Sequence, residues 1–167
     1  MINIFRDENY FLSNFYPCLV VKDNIKYPSV EHYYVAMKTN APIITHENKK
    51  YRLNDFRKMI SELKYPGMVK KIGKKIPIRE DWDTEKINIM KYGIREKFKD
   101  SNLKNKLINT KNEELVEGNW WHDNYFGNCF CDNCKNKKGK NKLGKLIMEI
   151  RDEINDNKKG GLEEIFF

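Results

Sequence analysis

The 167-residue chain lacks any stretch of about 18 uninterrupted apolar residues, the length that a membrane-spanning helix requires. Its first residues, MINIFRDENYF, also reach charged side chains too early for the apolar core of a signal peptide. These absences argue against an integral membrane protein and against a secreted precursor. We therefore expect a soluble protein of the cytoplasm that has no membrane partner.

Cysteines are few, and they are not spread along the chain as a disulfide framework would be. Cys18 stands alone, whereas Cys129, Cys131 and Cys134 are close together. A reducing compartment disfavours disulfides, so we expect free thiols or a metal site. Structural zinc takes four ligands, usually from paired C-x2-C motifs, and the second pair is missing here. We predict no metal and no cofactor; the alternative is zinc on these three cysteines, completed by His122 or Cys18.

Internal repeats are also absent, and the 40% of hydrophobic residues suits one globular domain with a single core. We therefore predict one domain over residues 1–167. The 32 lysines and arginines outnumber the 24 acidic residues, which gives a net charge of +8. Such a field attracts nucleic acid or a phosphorylated ligand, although most of these lysines are typical of a solvated surface.

Local patterns in the first part of the chain predict a hairpin followed by a helix. The apolar segments CLVV and IKY flank Asp23 and Asn24, two residues that tolerate the positive φ of a tight turn. Ser29 can then cap the helical segment VEHYYVAMK. Glu31 and Lys38 are seven residues apart and should share one face of that helix.

Helices dominate the remainder, beginning with a charged segment from residue 48 through FRKMISELK. One helix should be opened by Pro66 and closed by Gly73, another should begin at Asp83, and Ser101 should cap a further one. Asn141 should cap the last helix, whose apolar stripe consists of Leu143, Leu146, Ile147, Ile150 and Ile154. The predicted fold class is α+β, mostly helical with a small antiparallel sheet.

Two groups of residues could carry chemistry. Glu31 lies at the start of a helix, where the helix dipole favours a negative charge, and the preceding loop FLSNFYP combines aromatic side chains with Ser13 and Asn14. Trp82 and the run Trp120 to Phe126 place large aromatic side chains next to acids, an arrangement that suits a base and a ribose. The alternative for the tryptophans is core packing.

Taken in order, several motifs resemble one protein family. They are FLSNF at 11–15, PSVEHYY at 28–34, WD at 82–83, KF at 97–98, LVE at 115–117, DNYFG at 123–127 and NKLGKLIMEIR at 141–151. The NADAR family of YbiA-like N-glycosidases has the similar pattern LSNF, S-x-E-H, WD, D-x-x-W-G and N-x-L-G-x-x-L-M-x-x-R. The resemblance runs nearly end to end and implies a YbiA-like fold.

The resemblance also implies an activity. Members of the family cleave the N-glycosidic bond between the anomeric carbon of a ribose and a nitrogen, without a metal or redox cofactor. Their substrates are phosphorylated ribosylamino intermediates of riboflavin synthesis or ADP-ribose attached to guanine in nucleic acid. Carried over by motif, the catalytic residues are Glu31, Trp82 and Asp123. Implied ligand-binding or bracing residues are Ser13, Asn14, Phe15, Lys38, Trp121, Phe126, Asn141 and Arg151.

One departure from the family pattern falls on a predicted site residue. The tryptophan of D-x-x-W-G is Phe126 here, which keeps a stacking face but loses the indole N–H donor. Two rival interpretations also remain. One is a sensor that binds ADP-ribose or an NAD-related nucleotide without hydrolysis, and the other is a zinc-stabilised module that binds nucleic acid. The presence of both acids, Glu31 and Asp123, favours the enzyme over these two alternatives.

Overall fold

The computed structural model describes residues 1–166, with side chains up to residue 160. The chain forms two compact units, Asn14–Asp100 on the one hand and Met1–Ser13 with the segment from Ser101 onward on the other. Helices predominate and the strands form two-stranded pairs, which confirms the α+β class. None of the described helices combines the length and hydrophobicity needed to cross a membrane. The single domain over 1–167 stays a prediction.

The unit Asn14–Asp100 contains two hairpins and four helices. These elements are β1 (Val20–Lys22), β2 (Ile25–Tyr27), α1 (Val30–Met37), β3 (Ile43–His46), β4 (Lys49–Arg52), α2 (Leu53–Glu62), α3 (Pro66–Gly73) and α4 (Trp82–Lys97). Strands β1 and β2 are antiparallel, and the turn residues Asp23 and Asn24 have φ values of 51° and 63°. Positive φ at both central residues is what a two-residue turn of type I′ requires, so the predicted hairpin is confirmed.

The hairpin β3–β4 was not predicted. It is built in the same way as the first, with Glu47 and Asn48 at φ values of 49° and 61° and the two strands antiparallel. The prediction of a helical segment from residue 48 is therefore wrong for β4, and the helix begins only at Leu53. Strand β4 has the sequence KKYR and no buried residue, so its charged side chains concealed the strand in the sequence pattern.

Helix α1 is the most buried element of this unit, since every residue from Val30 to Met37 is buried. The predicted cap is confirmed, because the Oγ of Ser29 accepts a hydrogen bond from the backbone N–H of His32 at 3.1 Å. His32 Nε2 lies 2.7 Å from the carbonyl oxygen of Leu63, which can only accept, so Nδ1 accepts from the Ser29 hydroxyl at 2.6 Å. His32 therefore has a structural role.

Helices α3 and α4 follow the sequence signals closely. Helix α3 has the predicted bounds, and α4 begins at Trp82, one residue before the predicted start. Met90, Ile94 and Phe98 are buried.

The second unit begins with a 3₁₀ helix, Asp7–Leu12, which was not predicted. It continues with α5 (Ser101–Ile108), β5 (Gly118–Asn119), β6 (Asn128–Cys129) and α6 (Lys142–Phe166). Strands β5 and β6 are parallel, and neither was predicted. Ser101 is the first residue of α5 rather than its cap.

Helix α6 buries the predicted apolar stripe from Leu143 to Ile150. Asn141 precedes this helix as expected, but its side chain has partners other than those of a cap. Its Oδ1 accepts from the backbone N–H of Glu117 at 3.0 Å, and its Nδ2 donates to the carbonyl of Leu115 at 2.8 Å. Asn141 therefore ties the start of α6 to the segment before β5.

Candidate ligand-binding residues

Glu31 lies in the first turn of α1 and is 9% exposed. Its backbone N–H donates to the carbonyl oxygen of Asn14 at 3.1 Å, which fixes the FLSNF loop to the start of this helix. Asn14 Nδ2 in turn lies 3.5 Å from the sulfur of Met90 in α4. A carboxylate in this position also benefits from the positive end of the helix dipole. The predicted neighbours Glu31 and Asn14 are thus brought together.

Lys38 follows the last turn of α1 and lies beside two aromatic rings. Its Nζ is 5.8 Å from the ring centre of Tyr34 and 5.9 Å from that of Trp82. The two rings are themselves 4.9 Å apart at an angle of 53°. Cations at this distance are attracted to aromatic faces. Tyr34 was not predicted as a site residue, although the helical spacing from Glu31 pointed to it.

The charge of Glu31 acts on Lys38, as the seven-residue spacing predicted. Burial lowers the pKa of Lys38, and the negative charge of Glu31 opposes this by raising it. The positive charges of Lys70 and Lys74 lower that pKa further, so these two side chains are close enough to interact with Lys38. We call Lys38, Lys70 and Lys74 the lysine cluster.

Phe15 joins this group from the FLSNF loop, because Lys70 Nζ lies 5.9 Å from its ring centre. We call Glu31, Phe15, Tyr34, Trp82 and the lysine cluster the Glu31 site. All of its members belong to the unit Asn14–Asp100. A buried carboxylate, several aromatic faces and three cations together suit a ligand that carries hydroxyls, rings and phosphate.

A second lysine in this unit has an unusual environment that the sequence did not indicate. Lys97, from the KF motif, is 2% exposed, and its Nζ lies 5.7 Å from the ring of Tyr16 and 5.3 Å from that of Phe98. Burial lowers the pKa of Lys97 to about 8, and interaction with Cys18 opposes that shift. Desolvation of this size is typical of a charge enclosed by apolar neighbours.

A surface cleft of about 360 Å³ lies elsewhere in the same unit, between residues of β4 and α2. It is lined by Lys49, Lys50, Tyr51, Asp55, Lys58, Met59 and Glu62, none of which was predicted as a site residue. Its acidic residues, Asp55 and Glu62, are exposed, whereas the carboxylate of Glu31 is buried, so the Glu31 site is the stronger candidate on chemical grounds.

Asp123 lies in the other unit, where it organises the DNYFG turn. Its Oδ1 accepts hydrogen bonds from the backbone N–H groups of Tyr125 at 3.1 Å and Phe126 at 3.0 Å. The carbonyls of these same two residues accept from the N–H groups of Lys142 and Leu143, at 3.0 and 2.9 Å. The turn therefore satisfies N–H groups that the first turn of α6 would otherwise leave without partners.

Buried Asn119 holds the other side of this turn and was missed in the sequence. Its Oδ1 accepts from the N–H of Asp123 at 3.1 Å, and its Nδ2 donates to the carbonyl of Asp123 at 2.7 Å. The turn closes at Gly127, where a Cβ would overlap with the carbonyl oxygen of Glu117. The glycine of the DNYFG motif is thus required by close packing of the backbone.

The other predicted residues of this unit hold its backbone or face the surface. Arg151 is buried, and its Nη1 donates to Thr110 Oγ1 at 2.8 Å and to the carbonyl of Glu113 at 2.9 Å, which is a bracing role. The backbone N–H of Ser13 donates to the carbonyl of Tyr10 and ends the 3₁₀ helix. Trp121 is 52% exposed. Their predicted ligand contacts stay predictions.

The cysteines come together with a histidine. One ligand atom each from His122, Cys129, Cys131 and Cys134 lies within 4.8 Å of every other. The sequence left either His122 or Cys18 as the fourth member, and the group contains His122. These are four side chains of the kinds that bind a transition metal.

The hydrogen bonds of Asp123 give a stability prediction. Asp123→Ala should lower the free energy of unfolding by about 1–2 kcal/mol, because two backbone N–H groups lose a charged acceptor in a partly buried turn. Asp123→Asn should stay close to the wild type, since the amide oxygen can accept both hydrogen bonds. Urea denaturation of the three proteins checks this. Equal stability of the alanine and asparagine variants would contradict the bracing role.

Comparison with known proteins identifies relatives along nearly the whole chain. The family model for the NADAR domain matches residues 4–155. A riboflavin biosynthesis protein of Vibrio vulnificus is 29% identical over 157 residues, which cover 90% of this chain but only 37% of that protein. The N-glycosidase YbiA of Shigella boydii is 32% identical over 143 residues, covering 85% and 79% of the two chains. The NMR structure of Escherichia coli YbiA matches with a TM-score of 0.72 at 26% identity, over 95% of this chain and 89% of that one.

Proposed function

The chain belongs to the NADAR family, and on that basis we propose that it is an N-glycosidase that hydrolyses the bond between the anomeric carbon of a ribose and a nitrogen. Relatives such as YbiA of Shigella boydii are named as N-glycosidases. The observation that carries the proposal is the Glu31 site, in which a buried carboxylate, stacking surfaces and cations lie in one unit. Both the family and the chemistry of this site favour the same activity.

The lysine cluster supports a substrate that carries phosphate. The three positive charges of the cluster exceed the single negative charge of Glu31, and ammonium groups are common ligands of phosphate. Two substrate classes meet this condition: ADP-ribose attached to guanine in nucleic acid, and phosphorylated ribosylamino intermediates of riboflavin synthesis. The net charge of +8 favours the first. The name of the Vibrio relative favours the second.

The proposed reaction breaks the bond from C1 of the ribose to the nitrogen, and the bonding electrons leave with the base. Positive charge then develops on C1 and the ring oxygen, water adds to C1, and one proton of this water is lost as the departing nitrogen gains a proton. The carboxylate of Glu31 would stabilise the cation or orient the water, as carboxylates do in other glycosidases. Trp82 would stack on the base, and Lys38 would bind phosphate.

Asp123 is the second acid of this proposal, on the strength of its motif position. It would stabilise the cation or activate the water, and the roles of Asp123 and Glu31 are interchangeable in the proposal. One oxygen of Asp123 already accepts two backbone hydrogen bonds, which leaves the other oxygen of the carboxylate for chemistry. Because asparagine can preserve the turn, Asp123→Asn is the variant that tests the chemical role alone.

A substrate panel tests the proposed function. The purified chain should release free base from an oligonucleotide carrying ADP-ribosyl guanine or from a phosphorylated ribosylamino intermediate, as measured by chromatography with mass detection. NAD should be included, because an ADP-ribose sensor would bind NAD or ADP-ribose without releasing any base. Binding of these compounds with no released base from any substrate would overturn the proposed N-glycosidase in favour of the sensor.

A further inference from the structure

We propose that His122, Cys129, Cys131 and Cys134 form a structural zinc site. Their ligand atoms are mutually within 4.8 Å, and His122 Nδ1 lies 3.4 Å from the Sγ of Cys134 and 3.3 Å from the Sγ of Cys131. In a tetrahedral site with Zn–S near 2.3 Å and Zn–N near 2.0–2.1 Å, neighbouring ligand atoms lie about 3.5–3.8 Å apart. Only small side-chain movements separate the observed arrangement from that geometry.

The backbone around these residues favours the same arrangement. His122 has a φ of 70°, in the left-handed region that residues other than glycine rarely adopt. This conformation accompanies a hydrogen bond from the backbone N–H of His122 to the sulfur of Cys129, at 3.3 Å. The backbone N–H of Cys134 donates to the carbonyl oxygen of Cys131 at 3.0 Å, which closes a turn between these two cysteines. An N–H donor to sulfur, as on Cys129, stabilises a thiolate that binds a metal and orients it from outside the coordination sphere.

The ligand types identify the metal and its role. Soft thiolates combined with an imidazole in a compact group of four are typical of zinc. Four protein ligands close the tetrahedron, so no coordination position remains for water or substrate, and the site is structural rather than catalytic. Cys129 and Cys134 are buried, Cys131 is half-buried and His122 is exposed, so one edge of the group is open to solvent for metal entry.

The position of the site gives the metal a defined task. His122 immediately precedes the DNYFG turn, and Cys129 lies in β6, which directly follows that turn. Zinc would therefore join the two ends of the turn that carries Asp123 and would also hold the segment from Cys131 to Cys134. Metal binding of this kind contributes its free energy to the folding of the loop. The inference goes beyond the proposed activity, and neither depends on the other.

Metal analysis of the purified full-length chain tests the site. After expression with added zinc and gel filtration, the protein should contain one zinc per chain. Replacement by Co²⁺ should give the sulfur-to-cobalt charge-transfer and visible absorption of a tetrahedral thiolate site. Cys131→Ser should lower zinc affinity by more than the roughly 10–100-fold that loss of an outer contact costs. Cys18→Ser is the matched control, because Cys18 is outside the group, and it should retain the metal.

Three results would overturn the proposal. The first is protein that lacks zinc and gives no thiolate absorption on Co²⁺ titration, whether its thiols are free or Cys131 and Cys134 are joined in a disulfide. The second is equal zinc retention by Cys131→Ser and Cys18→Ser, which would place the metal elsewhere. The third is hydrogen exchange of residues 119–134 that stays unchanged when a chelator removes the metal. This last measurement uses the wild-type chain and does not depend on the folding of a variant.

Discussion

Glu31→Gln should lower kcat/KM for cleavage of the ribosyl–nitrogen bond by about 10²–10⁴-fold while the fold stays intact. Glutamine has almost the same shape as glutamate and can keep hydrogen bonds to ribose hydroxyls. It lacks the negative charge that would oppose the positive charge on the anomeric carbon in the transition state. Steady-state kinetics on the substrate identified by the panel, together with urea denaturation, measure the two effects separately.

Glu62→Gln is the matched control for this experiment. Glu62 ends α2 in the same unit and is exposed, so the same chemical change there should alter kcat/KM by less than about twofold. If Glu31→Gln cleaves as fast as Glu62→Gln, Glu31 has no catalytic role. If Glu31→Gln instead unfolds at lower urea concentrations and regains activity when stabilised, the buried carboxylate has a structural role.

Gly144→Ala should destabilise the protein by about 3 kcal/mol or prevent folding. A Cβ at this position in α6 would overlap with the carbonyl oxygen of Leu115 and would lie 2.5 and 2.6 Å from the amide atoms of Asn141. The carbonyl belongs to the backbone, and Asn141 is itself fixed by hydrogen bonds to Leu115 and Glu117. Relief would therefore require movement of the helix, although alanine normally stabilises a helix relative to glycine.

Gly67→Ala is the matched control for Gly144→Ala. Gly67 is the second residue of α3, and a Cβ there would have no atom within 4 Å. The substitution should raise the free energy of unfolding by about 0.5–1 kcal/mol, because alanine loses less backbone entropy on forming a helix. Urea denaturation of both variants gives the comparison. Similar stability changes of the same sign would contradict the close approach of α6 to Leu115.

Local signals in the sequence were sufficient for several elements. The turn at Asp23 and Asn24, the cap at Ser29 and the bounds Pro66–Gly73 depend on neighbouring residues alone, and the structure confirms each of them. The pairing of Glu31 with Lys38 followed from the period of a helix, which is also a local property. The prediction missed strand β4, because this exposed, lysine-rich strand lacks the alternation of apolar and polar residues by which strands are recognised in a sequence.

The remaining features depend on contacts between segments that are distant in the sequence. Lys70 and Lys74 approach Lys38 only because α3 packs against α1, and no spacing in the chain encodes that approach. The fourth ligand of the proposed zinc site also depends on such contacts, since the cysteine spacing alone did not decide between His122 and Cys18. His122 lies beside the three cysteines in a left-handed backbone conformation. The residues next to it in the sequence do not indicate that conformation.

The pairing of the DNYFG turn with the start of α6 also affects the segment between them. Backbone hydrogen bonds link Asn124 with Lys140 and Gly127 with Asn141. Residues 128–139 therefore form a loop whose two ends are held together by these bonds. Doubling the length of such a loop costs only about 0.6 kcal/mol in closure entropy. Insertions between Lys135 and Lys138 should therefore be tolerated, which makes this segment a suitable place for a tag or a reporter.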